Sequence, residues 1–247
     1  MNLSTPLKSL IPTLEADVLK VLAGANASFT GRQVHALIGM YSEYGVRNAL
    51  QRLNAQGIVT RTPAGAADLY ALKPDHLMTK YIKSIVNLRT EFLALLKDQI
   101  SAWTISPVCG AVFGSSVRSD MKPESDIDVF IVRPNSVEFG LGVWREQCAN
   151  LSSQISLWTG NDAQIFELNE DGIKLELASP NGVIHSIIQQ GILFYGPPDY
   201  LRALSFKNKK VGALNGQYKK MHPGDEGRAP GQGKSISNSR GNDRLKH

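Results

Sequence analysis

Apolar residues recur every three to four positions along three short segments near the start of the chain. This spacing places them on one side of a helix and predicts three amphipathic helices. Thr13, Thr30 and Ser42 can cap these helices, and Gly57 ends the third. The apolar faces comprise Leu14, Val18, Val21 and Leu22 in the first helix, Val34, Leu37 and Ile38 in the second, and Val46, Leu50 and Leu53 in the third.

The pattern then changes to one typical of a β-hairpin. Residues 58–61 and 68–72 have the composition of strands, and the turn formers at 63–65 separate them. Residues 76–103 return to helical spacing and predict one long helix. Residues 1–11 show no such pattern, and we expect a loose lead-in there.

The second half of the chain alternates strand-like and helix-like segments. Apolar runs at 111–113, 126–132, 163–168 and 191–196 predict strands, residues 142–158 and 180–190 predict helices, and 170–179 predicts a loop with a short helix. The predicted fold class is therefore α+β, with a mixed β-sheet and flanking helices.

Two carboxylates stand at the start of the second of these strands. Side chains alternate across a strand, so Asp126 and Asp128 project from the same side, roughly 6.5 to 7 Å apart along it. Such a pair repels itself, and a cation offsets that cost. Because the available ligands are oxygens, the spacing favours Mg²⁺ or Mn²⁺, which keep water and phosphate oxygens as their other ligands.

A glycine-serine turn follows the preceding strand. Gly114 lets the backbone approach a phosphate closely, and the hydroxyls and N–H groups of Ser115 and Ser116 can bind it. Arg118 and Lys122, in the loop before the aspartates, are candidates to steady a triphosphate. The predicted ligand is a metal-bound nucleoside triphosphate, and the predicted chemistry is displacement at phosphorus.

The order of these parts carries a family resemblance. An apolar strand, Gly114-Ser115, ten intervening residues and Asp126-Ile127-Asp128 on an apolar strand resemble the nucleotidyltransferase superfamily of the DNA polymerase beta type, and above all its minimal prokaryotic members. The resemblance implies Asp126 and Asp128 as metal ligands and catalytic residues. It covers residues 106–197.

Many active members of that family carry a third carboxylate on the next strand, which completes the metal site and helps to deprotonate the acceptor. Gln164 best fits that position in this sequence. Asp162 lies two residues earlier on the same strand face and is the candidate third catalytic acid if the strand is shifted by one pair. The spacing leaves both arrangements open.

Three helices followed by a hairpin resemble a winged helix-turn-helix domain. Residues 45–59 are similar to the recognition helix and first wing strand of bacterial regulators. The resemblance implies that the third helix enters the DNA major groove. The candidate DNA contacts are Arg47, Asn48, Gln51, Arg52 and Arg61. Winged helices also bind protein or RNA, or fix a dimer, and these alternatives stay open.

These patterns divide the chain into four parts. We expect a winged helix-turn-helix domain at 1–75, a linker helix at 76–104, a nucleotidyltransferase domain at 105–200 and a basic, disordered tail at 201–247. A homodimer formed through the linker helix is the alternative role for that segment. Residues 207–247 hold ten Lys or Arg against three Asp or Glu, a net of +7, so the rest of the chain carries −2 of the total +5.

Other classes are disfavoured by composition. The two cysteines make no metal pattern and no disulfide framework, so two free thiols are expected. The start of the chain shows no signal-peptide pattern and no apolar run is long enough to span a membrane, so a cytoplasmic location is expected.

The expected function is transfer of a nucleoside monophosphate to a hydroxyl of a protein, an RNA or a small molecule, with Mg²⁺. The alternative is a winged-helix transcriptional regulator whose degenerate transferase domain only binds a nucleotide. The resemblance also suggests a combined form, a toxin–antitoxin component that modifies a partner and regulates its own operon.

Overall fold

The computed structural model describes residues 1–118, 121–179, 182–200 and 202–204. Apart from residues 202–204, the tail predicted at 201–247 lies outside the described residues. Residues 1–206 form one compact unit of helices and two β-sheets. Among the described helices, none combines the length and the apolar content that crossing a bilayer requires.

The N-terminal elements follow the predicted order, with one short strand added. They are a 3-10 helix Pro6–Ser9, α1 (Leu14–Ala23), β1 (Phe29–Thr30), α2 (Gly31–Ile38), α3 (Glu43–Ala55), β2 (Val59–Ala64) and β3 (Ala67–Leu72). The three strands form an antiparallel sheet in the order β1-β3-β2. The hydroxyls of Thr30 and Ser42 accept hydrogen bonds from the N–H groups of Gln33 and Gly45, so both cap their helices.

The predicted helix faces form the N-terminal core with one exception. Leu19, Val34 and Leu50 are buried together in this core. Leu37 was expected to face inward but is 62% exposed, so that prediction is wrong. Val34 and Ile38, one turn apart, contact the core, and Leu37 lies on the side of α2 that faces away from it.

The long helix predicted at 76–103 is two helices, α4 (Leu77–Val86) and α5 (Leu88–Ser101). They meet at Asn87, whose N–H donates to the carbonyls of Lys83 and Ser84. The break lets the two helices pack in different hydrophobic cores. Ile82 of α4 packs in the N-terminal core, whereas Leu96 of α5 packs on the second sheet.

The second sheet is mixed, as predicted. Its elements and their neighbours are β4 (Cys109–Phe113), a 3-10 helix Gly114–Ser116, β5 (Ile127–Arg133), α6 (Gly142–Thr159), β6 (Ala163–Asn169), α7 (Glu170–Ala178), α8 (Val183–Gln190) and β7 (Ile192–Tyr195). The strand order is β6-β5-β4-β7. The β5–β6 pair is parallel, and β4 is antiparallel to both of its neighbours. Residues 180 and 181, the predicted start of α8, lie outside the described residues.

The central strand β5 is covered on both sides. Val129 and Ile131 face a core built with α5 and α6, whereas Phe130 and Val132 face a core built with α7 and α8. A strand buried on both sides is held firmly, and this fixes the position of Asp128 within it.

The segment before α1 was expected to be loose, and that expectation is wrong. Leu3 is buried in the core that contains Met121 and Trp144, and Leu7 is buried in the N-terminal core. The first ten residues therefore bridge the two cores.

Candidate active site

The glycine-serine turn forms directly opposite one of the aspartates. Strand β4 pairs with β5 so that Phe113 lies across from Asp128. Gly114 then takes a left-handed backbone with φ of +70°. A Cβ atom on Gly114 would stand 2.0 Å from the Asp128 carboxylate, so only glycine fits while that carboxylate keeps its place.

Asp126 and Asp128 lie at the start of β5 on the same side. Asp126 is exposed and Asp128 is half-buried. Burial raises the pKa of Asp128 above its usual value, and the charge of Asp126 raises it further, whereas Arg118 lowers it. A carboxylate whose charged form is disfavoured by burial and by a second carboxylate is suited to hold a cation.

The register of the parallel pair decides which side chain stands beside them. Gln164 lies across from Asp128, and its Nε2 approaches an Asp126 oxygen at 3.5 Å. An amide therefore lies where the third carboxylate was sought. The main-chain carbonyl of Asp162 accepts the N–H of Ile127, and its exposed side chain lies one step before the paired residues. Among the described residues, no group of three or more His, Cys, Asp and Glu could hold a metal ion. The role of Asp162 stays a prediction.

The other candidate nucleotide-binding residues differ in their availability. Ser115 is half-buried, whereas Ser116 is buried and donates its hydroxyl to the carbonyl of Phe113 at 2.8 Å. Ser116 thus shapes the turn. Arg118 and Lys122 are exposed; the charge of Arg118 acts on Asp128, and the Lys122 N–H donates to the hydroxyl of Ser125.

Three side chains that the sequence analysis did not single out support this turn and the loop before Asp126. The Nη2 of Arg89, on α5, donates to the carbonyl of Val117 at 3.2 Å. Asn2 donates to the carbonyl of Met121, and the buried Asn161 donates to two carbonyls in residues 123–125. Their contacts join residues far apart in the sequence. Only Asn161 lies in a segment that the sequence marks, the glycine-asparagine turn at 160–161.

A groove of about 640 Å³, lined by three arginines and two acids, lies between α2, α3 and the hairpin. It brings together three of the candidate DNA contacts, Arg47, Gln51 and Arg61, and adds Arg32, which the sequence analysis missed.

The remaining candidate DNA contacts do not line this groove. Arg52 donates to Glu15 of α1 at 2.6 Å, and Asn48 is half-buried. Within the groove itself, Arg61 pairs with Asp68 at 2.8 Å and Arg47 pairs with Glu43 at 3.4 Å.

The two cysteines are free thiols, as expected. Burial raises the pKa of Cys109 and of Cys148 to about 12. Both thiols therefore stay protonated at neutral pH, and neither is suited to act as a nucleophile or a metal ligand.

A glycine turn packed against two same-side aspartates lies at the start of a central strand in a mixed sheet. Residues 105–199 match the family model described as polymerase beta, nucleotidyltransferase. The chain therefore contains a nucleotidyltransferase domain, and its enzyme class is nucleotidyltransferase. The match confirms the predicted resemblance in this part of the chain. The winged helix-turn-helix assignment stays a prediction.

Solved structures similar to this chain include parts of toxin–antitoxin complexes. A crystal structure of a toxin–antitoxin with AMP-PNP is 13% identical with a TM-score of 0.35, over 53% of this chain and 92% of that one. The toxin–antitoxin MntA-HepT is 13% identical with a TM-score of 0.31, over 53% and 90%. No curated protein matches this chain significantly.

Proposed function

We propose that this protein transfers a nucleoside monophosphate from a nucleoside triphosphate to a hydroxyl group of a protein, an RNA or a small molecule, and releases pyrophosphate. One observation carries the proposal. The Asp128 carboxylate packs against the left-handed Gly114 turn, with Asp126 beside it, so a metal and a phosphate can meet at one point.

Asp126 and Asp128 would hold Mg²⁺ or Mn²⁺. Their fit to a cation follows from the raised pKa of Asp128, because a cation offsets both the burial of that carboxylate and the repulsion from Asp126. When bound, the metal stabilises the negative charge that develops on the reacting phosphate and its leaving group.

The turn would bind the phosphates of the nucleotide. The Asp128 carboxylate fills the space beside Gly114, so a phosphate would bind at the next residue, where the half-buried Ser115 offers its N–H and hydroxyl. Ser116 keeps the turn in shape. Arg118 and Lys122 bring positive charge to the triphosphate from the loop.

The acceptor side of the reaction depends on β6. Asp162 would accept the proton of the attacking hydroxyl, since it is exposed and lies at the same end of the sheet as Asp126. Gln164 has no basic group, and its amide lies 3.5 Å from an Asp126 oxygen. If Asp162 is the base, Asp162→Asn abolishes transfer and leaves Mg²⁺-dependent nucleotide binding intact.

The test uses purified protein, Mg²⁺ and each α-³²P-labelled nucleoside triphosphate, with cell extract as the source of acceptors. The control is the double variant Asp126→Ala, Asp128→Ala. We expect label on a protein, an RNA or a small molecule, and its loss in the control. Mg²⁺-dependent nucleotide binding without labelling of any acceptor would instead support the alternative, a regulator whose transferase domain only binds nucleotide.

A second function, DNA binding by the N-terminal elements, is favoured by the arginines that line the groove between α3 and the hairpin. Arg32, Arg47 and Arg61 line it together with Gln51, and their donors suit phosphates and base edges. Asn48 and Arg52 would lie outside the main contact, because Arg52 is engaged by Glu15. A nucleic acid would have to compete with Glu43 and Asp68 for two of these arginines.

The DNA-binding proposal is tested by fluorescence anisotropy with a labelled random-sequence duplex at several salt concentrations. We expect the double variant Arg47→Ala, Arg61→Ala to bind more weakly and to lose about 0.9 from the salt slope for each phosphate contact removed. Arg145→Ala, an exposed arginine on α6, is the matched control. Equal affinity and slope in all three proteins would contradict DNA binding at the groove.

A further inference from the structure

We propose that Asn161 is a positioning residue for Asp126, and that it fixes the main chain before this aspartate so that the carboxylate can bind a divalent cation. The inference rests on the proposed function, because Asp126 is a metal ligand only under that proposal. Asn161 lies in the turn between α6 and β6, outside the motif that identifies the domain.

The first argument is the pair of hydrogen bonds that the Asn161 amide donates. Asn161 is only 4% exposed. Its Nδ2 donates to the carbonyl of Pro123 at 2.8 Å and to that of Ser125 at 2.9 Å. Both N–H groups of one amide thus hold the three residues that come directly before Asp126, while the Oδ1 accepts from the amino group of Met1.

The second argument is that the next residue holds the chain on the other side of Asp126. The main-chain carbonyl of Asp162 accepts the N–H of Ile127 at 2.8 Å. Residues 161 and 162 therefore anchor both neighbours of Asp126. Losing the Asn161 contacts would leave Ile127 in place and free only the main chain before Asp126, at Pro123 and Ser125.

The third argument is the exposure of Asp126 itself. Its side chain is exposed, and its polar neighbours include the Asp128 carboxylate, which repels it, and the Gln164 amide, at 3.5 Å. Packing therefore does little to orient this carboxylate, in contrast to Asp128, which is half-buried against Gly114. The main chain therefore decides where the Asp126 side chain starts, and Asn161 holds the residues just before it.

The chemistry of the side chain explains why it is an asparagine. Two carbonyl oxygens need two donors, and a carboxylate or an alkyl group supplies neither. Asn161→Asp keeps the size and removes both donors, and Asn161→Ala removes the whole amide. Each change leaves two loop carbonyls without this partner.

A second attachment of the same loop provides an independent variant. Asn2 donates from its Nδ2 to the carbonyl of Met121 at 2.8 Å, at the other end of the loop. If the Asn161 variants do not fold, Asn2→Ala tests the same idea through a different contact, and we expect a smaller effect in the same direction.

The experiment measures the affinity for Mn²⁺ alone, from the electron paramagnetic resonance signal of the free ion, with the full chain carrying no residues before Met1. We expect a 10- to 100-fold loss of affinity in Asn161→Asp and Asn161→Ala, the range seen when a contact that orients a metal ligand is removed. Asn150→Asp and Asn150→Ala, at an exposed position of α6, are the matched controls and should bind like the wild type.

The outcomes separate this inference from the proposed function. If the wild type has no Mn²⁺ site that Asp126→Ala, Asp128→Ala removes, the proposed metal site fails and this inference falls with it. If the wild type binds and the folded Asn161 variants bind within about twofold of it, Asn161 is a structural residue only and the inference is overturned. Thermal unfolding in EDTA identifies the variants that are folded at the temperature of the titration.

Discussion

Gly114 shows how a single residue connects backbone conformation to the candidate chemistry. Its left-handed φ of +70° would be strained for most residues, and the Asp128 carboxylate occupies the space of a side chain. These two constraints have different consequences. The first affects the stability of the turn, and the second affects the position of a proposed metal ligand.

Substitution of Gly114 by alanine should therefore reduce both stability and activity. The left-handed backbone alone costs about 1–2 kcal/mol, and the clash with Asp128 adds to this because the carboxylate must move. We expect nucleotide transfer to fall at least ~100-fold, which corresponds to about 2.7 kcal/mol of lost transition-state stabilisation. Urea unfolding and the labelling assay measure the two effects.

Gly140→Ala is the matched control for this variant. Gly140 has a similar φ of +68°, and a Cβ there would meet no atom within 4 Å. It should show the backbone cost without the loss of activity. Equal activity of the two variants would show that the approach to Asp128 does not matter.

The charge of Asp128 should make the metal-free wild type less stable than a variant without that charge. Because burial and Asp126 raise the pKa of Asp128, its ionised form opposes folding at neutral pH. We expect Asp128→Asn to raise the unfolding temperature in EDTA at pH 7 by up to about 3 °C, since solvent screens this half-exposed pair.

The comparison is made by thermal unfolding with and without Mg²⁺. Mg²⁺ should stabilise the wild type and leave Asp128→Asn unchanged. Asp98→Asn, at an exposed position of α5, removes one negative charge elsewhere and should behave like the wild type. An unfolding temperature of Asp128→Asn below that of the wild type in EDTA would contradict the argument.

At the scale of elements, α4 and α5 show that apolar spacing predicts helical structure but not where one helix ends and the next begins. The apolar spacing continues through residues 76–103, yet Asn87 ends one helix and begins the next. The two helices pack in different cores, with Ile82 in the first and Phe92, Leu96 and Ile100 in the second. Helix α5 is therefore a supporting layer of the nucleotidyltransferase sheet, and its Arg89 also contacts the turn after β4.

This role of α5 predicts a large difference between two adjacent leucines. Leu96 is fully buried, whereas Leu95 is 44% exposed. Leu96→Ala should lower the free energy of unfolding by about 2–5 kcal/mol, because it leaves a cavity against the sheet. Leu95→Ala should change it by about 0.5 kcal/mol or less. Chemical denaturation checks both values, and equal effects would show that α5 does not stabilise the sheet through this face.

At the scale of the whole molecule, the charge is distributed unevenly along the chain. Residues 207–247 contribute a net of +7, and the rest of the chain contributes −2. Attraction of the full chain to nucleic acid should therefore have two sources, the basic C-terminal sequence and the groove near Arg47 and Arg61.

Removal of residues 207–247 should weaken binding to a random-sequence duplex and reduce its dependence on salt. Each phosphate contact that is lost lowers the slope of log K against log salt by about 0.9, so a loss of several contacts is readily measured by anisotropy. Thermal unfolding checks that the shortened chain is folded at the temperature of the measurement. An unchanged salt slope would show that this sequence does not contribute to binding.

Much of the candidate site could be predicted from local sequence. Gly114, Asp126 and Asp128 lie close together because one antiparallel pair of apolar strands joins them, and such strands are recognisable from composition and alternation. The nucleotidyltransferase resemblance rests on the same short stretch and is confirmed over residues 105–199. The caps at Thr30 and Ser42 were predictable for the same reason, since a cap depends on residues only three positions away.

The sequence by itself therefore determined the chemistry-bearing turn, the aspartate pair and the order of most elements. Only the tertiary structure decided that Gln164 lies beside Asp126, that Asn161 holds the loop before it and that Leu3 is buried against the second core. Each of these facts depends on contacts between distant residues. Local periodicity carries no information about the register of two strands joined by a helix, or about which core a short segment will reach.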